Sequence, residues 1–435
     1  MYRKCTTAET GIGMRNYLCD ADGTGGRLKT LPEDFVVREI SDPPRRKDDG
    51  DYSIATVTAK NWETNRMVRL MSRSMGVSRD RIGFAGTKDK RAVTTQLMSV
   101  YGTEELWKKV GLKDIGIENV YRGARGIEIG DLIGNDFEIS VRNCTMEPPQ
   151  IRETVDSDIS VIRRTGGFPN YFGVQRFGAV RPVTHLVGER LVRGDIQGAV
   201  MTYISFTTDE EEERLRLIRE RFRKADVSEW GEIRRTMPPA MAFERMMLSR
   251  LIEDPEDWVG AIDILPTNLQ MMFVHAYQSW LFNEMLSRRM DAGLPLGMPV
   301  EGDIIIPLDA NRVPQHENPI LTTSKNIDLA ARQVRAGRAF VTITLFGSDG
   351  DLAEGEMGEI ERKVIEENGL SHEDFIIPEL PRCTSKGSRR EILCPLKDIG
   401  YEMSDDGYKL RFSLPKGNYA TCLLREFMKS EMRDY

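Results

Sequence analysis

The run Gly83-Phe84-Ala85-Gly86-Thr87-Lys88-Asp89-Lys90-Arg91-Ala92 sets one carboxylate, Asp89, among Lys88, Lys90 and Arg91 on a turn that glycine permits. Cationic neighbours favour the charged form of a carboxylate, which suits a nucleophile better than a general acid. A surface turn with local salt bridges is the competing reading, and for an arbitrary Lys-Asp-Lys it is the commoner one. A phosphate-binding loop does not match: Asp89 stands where Ser or Thr would be needed, and the glycines are too close together.

A second constellation runs from Gly166 to Gly178: Gly166-Gly167-Phe168-Pro169-Asn170-Tyr171-Phe172-Gly173-Val174-Gln175-Arg176-Phe177-Gly178. Aromatic faces beside an arginine are what stacking on an unpaired base requires, and glycines let a backbone or a base approach closely. An aromatic-rich turn packing a domain edge has the same composition, and locally that reading has a slight advantage.

Other chemistries find little support. The six cysteines (Cys5, Cys19, Cys144, Cys383, Cys394, Cys422) form no Cys-x-x-Cys pair, so they read as reduced thiols rather than a disulfide framework or zinc knuckle. The four histidines (His185, His275, His316, His372) lack the helical spacing of a metal site, so chemistry without a metal is expected. No apolar run reaches the roughly 18 residues of a membrane span, and no apolar segment follows Met1 to Cys5, so a cytoplasmic location is expected.

The formal net charge is −7, yet it is unevenly distributed. From Lys60 to Arg91, nine Lys or Arg (Lys60, Arg66, Arg69, Arg73, Arg79, Arg81, Lys88, Lys90, Arg91) face three acids (Glu63, Asp80, Asp89), a local +6. Such a patch is the footprint of a phosphate-bearing partner or a solvated face, and charge alone leaves the two level.

These residues need elements to hold them. A Pro-Glu-Asp turn leads into a strand at 35–40, a second strand spans 52–58, and apolar spacing predicts a helix over 64–75, capped by Asn61 or Thr64 and stopped by Gly76. Its polar face carries Arg66, Arg69 and Arg73. Short strands at 81–85 and 93–101 place Asp89 on the loop between them, further β signal lies at 137–141, and 151–165 reads as a helix ending in Gly166-Gly167. From about residue 185 the pattern turns helical, with helices predicted over 209–224, 241–252 and 269–290, the last stopped near Gly293. β character returns at 339–346 and 408–414, and a closing helix is predicted over 421–432. At 435 residues, with 40% hydrophobic and 30% charged, the chain reads as a globular α+β protein with a mainly helical section between β-containing ends.

The motifs then occur in an order that resembles the TruD pseudouridine synthases. The matching runs are Arg27-Leu28-Lys29 with Pro32-Glu33-Asp34-Phe35, Ala85 to Lys90 with Ala92-Val93-Thr94 and Gln96, and Pro169 to Gly173 with Gln175 to Gly178. The tail, Leu414 to Thr421 with Leu424-Arg425-Glu426, is similar to that family's closing strand and helix. Gly134-Asn135 and Ser279 to Asn283 match weaker positions. The resemblance implies a pseudouridine synthase catalytic domain on a mixed, mainly antiparallel sheet, 1–180 plus 385–435, interrupted by a mainly helical α/β insertion, 181–384.

It also implies roles. Asp89 corresponds to the catalytic aspartate, Lys29 to its basic partner, Phe172 to the aromatic residue that stacks on the target uracil, and Phe35 and Asn170 to pocket-lining residues. Lys88, Lys90, Arg91, Arg66, Arg69, Arg73 and Arg176 are expected to contact the RNA, with Arg79 and Arg81 beside them. The implied reaction isomerises a tRNA uridine to pseudouridine after base flipping, without metal or cofactor, in a protein expected to be monomeric. Whether the carboxylate attacks C1′ or removes the C2′ proton stays open. In the bacterial branch the site is uridine 13, the target carried over to this chain, while the long insertion resembles archaeal and eukaryotic members whose targets differ. A tRNA-binding or RNA-folding protein of the same fold without catalysis is the alternative, and a hydrolase releasing free uracil is a third reading.

Overall fold

The computed structural model describes residues 2–309, 313–396 and 398–435. Contact density divides the chain into two compact units. One comprises 21–167, 394–430 and 434–435, and the other 1–20, 168–393 and 431–433. Residues 168–180 and 385–393, which the sequence groups with the termini, thus fall with the middle of the chain.

The first unit is built on a nine-stranded sheet. Its main path runs Ile399–Ser404, Gly407–Pro415, Leu132–Cys144, Phe35–Ser41, Val93–Tyr101, Tyr52–Lys60 and Ile115–Gly123. Gly25–Arg27 adds to Leu132–Cys144, and Ile82–Phe84 adds to Val93–Tyr101. Every pairing is antiparallel except that of Phe35–Ser41 with Val93–Tyr101, so the sheet is mixed and mainly antiparallel, as expected. The strands flanking the Asp89 loop are pinned to the sheet on both sides of that loop.

The helix Thr64–Met75 lays Met67, Val68, Met71 and Met75 against Ala55, Val57, Ala59, Met98 and Val100 of the sheet. Emptying one of these methionine positions to alanine would cost about 2–5 kcal/mol. Its arginines are left on the solvent side. The helix is capped by Glu63, rather than Asn61 or Thr64, because the Glu63 carboxylate reaches the amides of Asn65 (2.8 Å) and Arg66 (2.7 Å). Gly76 ends it at φ 71°. The closing helix stops at Met428, short of the expected 432, where Lys429 turns left-handed at φ 46°.

The second unit combines helices with a four-stranded antiparallel sheet, Ile320–Leu321, Ile304–Pro307, Ala339–Leu345 and Ser388–Glu391. The long helix Thr267–Asp291 is buried over most of its circumference. The helix expected from 209 begins at Glu213, because Glu211 is drawn instead into a buried pair with Arg219 (2.8 Å). Among the described residues no helix is long and apolar enough to cross a membrane.

Candidate active site

Two clusters hold the residues singled out by the sequence, one in each unit. In the first unit Asp89 sits on the loop between Ile82–Phe84 and Val93–Tyr101, its side chain 49% exposed. Its Oδ2 lies 3.4 Å from Lys29 Nζ, and Lys29 is only 17% exposed. The same ammonium stands 4.3 Å from the centre of the Phe35 ring, which is buried at the start of its strand. A cation between a carboxylate and an aromatic face is held by both Coulomb attraction and the ring quadrupole.

Lys29 reaches this place through an uncommon backbone. Its φ is 55°, in the left-handed region that non-glycine residues seldom occupy. The turn around it is tied on both sides: Leu28 N–H donates to Asp434 O (2.8 Å), and Asp34 accepts from Leu31 N–H (2.7 Å) and Arg142 Nε (2.7 Å). Arg91 donates to Thr30 O (3.0 Å), linking the Asp89 loop to the Lys29 turn. Strained backbone that the surroundings over-determine is a recurrent property of functional sites.

The basic residues divide by orientation. Arg66, Arg69, Arg73, Arg79, Arg81, Lys90 and Arg91 are all exposed. Lys88 is different. Its side chain is 5% exposed and turns inward, with Nζ 2.7 Å from Glu39 Oε2, so it is not displayed to a ligand arriving from solvent.

In the second unit the main chain of Phe172 is held by a residue the sequence offered only as a weak match, Asn283. The Asn283 amide accepts from Phe172 N–H (2.9 Å) and donates to Phe172 O (3.1 Å) and Ile12 O (3.0 Å). The Phe282 ring meets Phe172 edge-on at 5.5 Å. The Arg390 guanidinium lies 4.2 Å from the Phe172 ring centre and that of Arg176 lies 5.2 Å away. Asn170 is buried and its amide is engaged by the scaffold, donating to Glu391 O (3.0 Å) and accepting from Arg390 Nη2 (2.7 Å). Arg390 is a second residue that sequence reasoning missed; its only local signal is the pair Arg389-Arg390 in a polar strand. Burial, and then the charge of Arg176, lower the pKa of nearby His275.

Two of the six thiols are unsuited to chemistry: burial pushes both Cys144 and Cys383 up to about 11, leaving little thiolate at neutral pH.

With the mixed sheet, its carboxylate loop and a glycine-rich aromatic run, this architecture is that of an α+β protein with an interrupted sheet. Residues 11–427 match the family described as tRNA pseudouridine synthase D (TruD). A probable tRNA pseudouridine synthase D from Methanosarcina mazei is 42% identical over 429 residues, covering 97% of each chain. One from Methanococcoides burtonii is 41% identical over 430 residues, again covering 97% of each. A crystal structure of the putative tRNA pseudouridine synthase D from Methanosarcina mazei has a TM-score of 0.86 at 39% identity, with both chains covered in full. The chain belongs to the TruD family.

Proposed function

We propose that this chain isomerises a specific uridine of tRNA, uridine 13, to pseudouridine, with Asp89 as the catalytic carboxylate. The observation that carries the reading is the Lys29–Asp89 pair over Phe35: a half-exposed carboxylate aimed by a largely buried cation. The bond from C1′ to N1 breaks and one from C1′ to C5 forms. N1 gains a proton and C5 loses one, so no oxidant and no net water are consumed.

The glycosidic bond is out of reach inside a stacked helix, so the uridine is flipped out first. Phe172 stacks on the extruded ring, and Arg176 and Asn170 support that aromatic platform. Asp89 then attacks C1′ or takes the C2′ proton, and Lys29 holds the carboxylate in the reacting geometry. Phe35 is the apolar floor beneath the pair. Lys90, Arg91, Arg66, Arg69 and Arg73 contact the tRNA backbone, giving affinity that depends on salt more than on sequence. In functional terms 1–180 with 385–435 forms the catalytic domain and 181–384 the insertion, in a monomeric protein.

The test is the product nucleoside made by Asp89→Ala and Asp89→Asn. Both are expected to bind tRNA and form no pseudouridine. A folded Asp89→Ala protein that still converts uridine ends the assignment, and release of free uracil by the unaltered protein identifies a hydrolase instead.

A further inference from the structure

Lys88 and Glu39 form an ion pair almost closed to solvent, one residue before Asp89. The side chains are 5% and 1% exposed, and Nζ lies 2.7 Å from Oε2. Glu39 lies on the strand beside Val93–Tyr101, where its other oxygen accepts from Ser41 Oγ (3.0 Å) and Leu97 N–H (3.4 Å). The Lys88 main chain is tied separately, its N–H donating to Thr64 Oγ1 (2.9 Å) at the start of the arginine-bearing helix.

Burying two charges costs about as much as their attraction returns, so such a pair adds little to stability that apolar side chains would not. What it does supply is a defined geometry. Glu39 stands opposite Asn135 in the antiparallel register, and Gln96 follows Thr95, the partner of Arg38, on the other side. Gln96 is buried with both amide atoms lacking a hydrogen-bond partner among the described residues, as does Asn135 Oδ1. On this polar row the charge pair ties the loop to the strand Phe35–Ser41, beside the main-chain bond from Lys88 to Thr64 and the Arg91 bond to Thr30.

Resting on the reading of Asp89 as the catalytic carboxylate, we infer that Lys88 and Glu39 are positioning residues for this reaction. Lys88, grounded on Glu39 and Thr64, sets where the next residue presents its carboxylate. Asp89, itself half exposed, has Lys29 as its ion partner, so the loop's aim comes from its neighbours. A misplacement of about 1 Å at a reacting group costs on the order of 10²-fold in rate.

Steady-state kinetics on tRNA, together with tRNA affinity against salt, for Lys88→Met, Lys88→Arg and Glu39→Gln test this. The expected result is a kcat about 100-fold lower for Lys88→Met and Glu39→Gln, with KM, tRNA affinity and its salt slope unchanged, and partial recovery in Lys88→Arg. Glu39→Gln keeps the size of the side chain and an acceptor for Leu97, so it remains informative if Lys88→Met fails to fold. An unchanged kcat overturns the inference. So does a salt slope shallower by about one, which would make Lys88 a phosphate contact. A parallel fall in kcat, affinity and melting temperature overturns it too, because it would mark general support of the fold. Asp89→Ala in the same assay separates the two levels: if it stays active the reading of Asp89 falls, and if it is inactive while Lys88→Met and Glu39→Gln are normal, only the positioning role falls.

Discussion

The carboxamide of Asn283 binds both the N–H and the C=O of Phe172, so one side chain of the long helix Thr267–Asp291 fixes the main chain of the residue proposed to stack on the uracil. Asn283 is wholly buried and also donates to Ile12 O, so the same carboxamide ties two separate stretches of main chain to the helix. Asn283→Ala is expected to cost about 1–3 kcal/mol of stability, since three buried hydrogen bonds to main-chain groups of Phe172 and Ile12 would be lost. Pseudouridine formation should fall with it, and Asn283→Asp should fall at least as far, because a buried carboxylate would face the Phe172 and Ile12 carbonyls. Equal melting temperatures for Asn283→Ala and the unaltered protein would contradict this.

Phe172 itself separates packing from stacking. Its ring is packed by Phe282 and covered by Arg390, so Phe172→Leu keeps apolar volume but removes the aromatic face. Loss of a base stack is worth about 1–3 kcal/mol, which predicts a roughly 5- to 150-fold fall in kcat/KM for Phe172→Leu and a much smaller one for Phe172→Tyr. Single-turnover pseudouridine formation measures it. Equal losses in the two variants would point to packing and not to stacking.

Lys29 offers an unusual separation of fold from chemistry, because its backbone is left-handed. Glycine accepts φ 55° without strain, so Lys29→Gly should leave the melting temperature within a few degrees of the original while removing the cation beside Asp89. Activity is expected to drop by at least tenfold, and Lys29→Arg should retain more of it than Lys29→Gly. A glycine variant of normal activity would mean that Asp89 needs no cationic partner.

Much of the scaffold around the carboxylate cluster was legible because its signals are local, whereas Lys29 and Phe35 stood out only through the family resemblance. The strand at 93–101, the glycine stop at residue 76 and the basic face of the helix Thr64–Met75 all follow from periodicity and from glycine's tolerance of positive φ. Other features depend on distant partners. Ser388–Glu391 is polar throughout and becomes a strand through pairing with Ala339–Leu345, which in turn carries Arg390 toward Phe172. Ile304–Pro307 is too short to show a period. The inward turn of Lys88 was equally hidden: among exposed cations it reads as one more, and its burial depends on Glu39, 49 residues earlier in the chain. Long-range pairing overrides local composition in each case.

Arg66, Arg69 and Arg73 project from one helix into solvent. If they meet tRNA phosphates, each charge removed should weaken binding across tRNA sequences alike and reduce the slope of log affinity against log salt by about one. The triple alanine variant, titrated with tRNA between low and moderate salt, should therefore show a slope shallower by about three, with kcat at saturating tRNA preserved. An unchanged slope would remove this face from the interface.

His185 gives the protein an acid-sensitive stability. Burial lowers its pKa to about 4, its ring lies edge-on to Phe177 at 5.2 Å, and its Nδ1 has no hydrogen-bond partner among the described residues. Above pH 6.5 the imidazole is neutral in both folded and unfolded chains and stability does not depend on it. Below pH 6.5 the unfolded chain takes up the proton while the folded one does not until about pH 4, so stability is lost progressively as pH falls through that window. By pH 5 the loss from this group is about 2 kcal/mol. Denaturant unfolding at pH 7 and pH 5 should show it, and His185→Leu should lose less stability over the same interval than the unaltered chain. Identical pH dependence in the two proteins would place the acid sensitivity elsewhere.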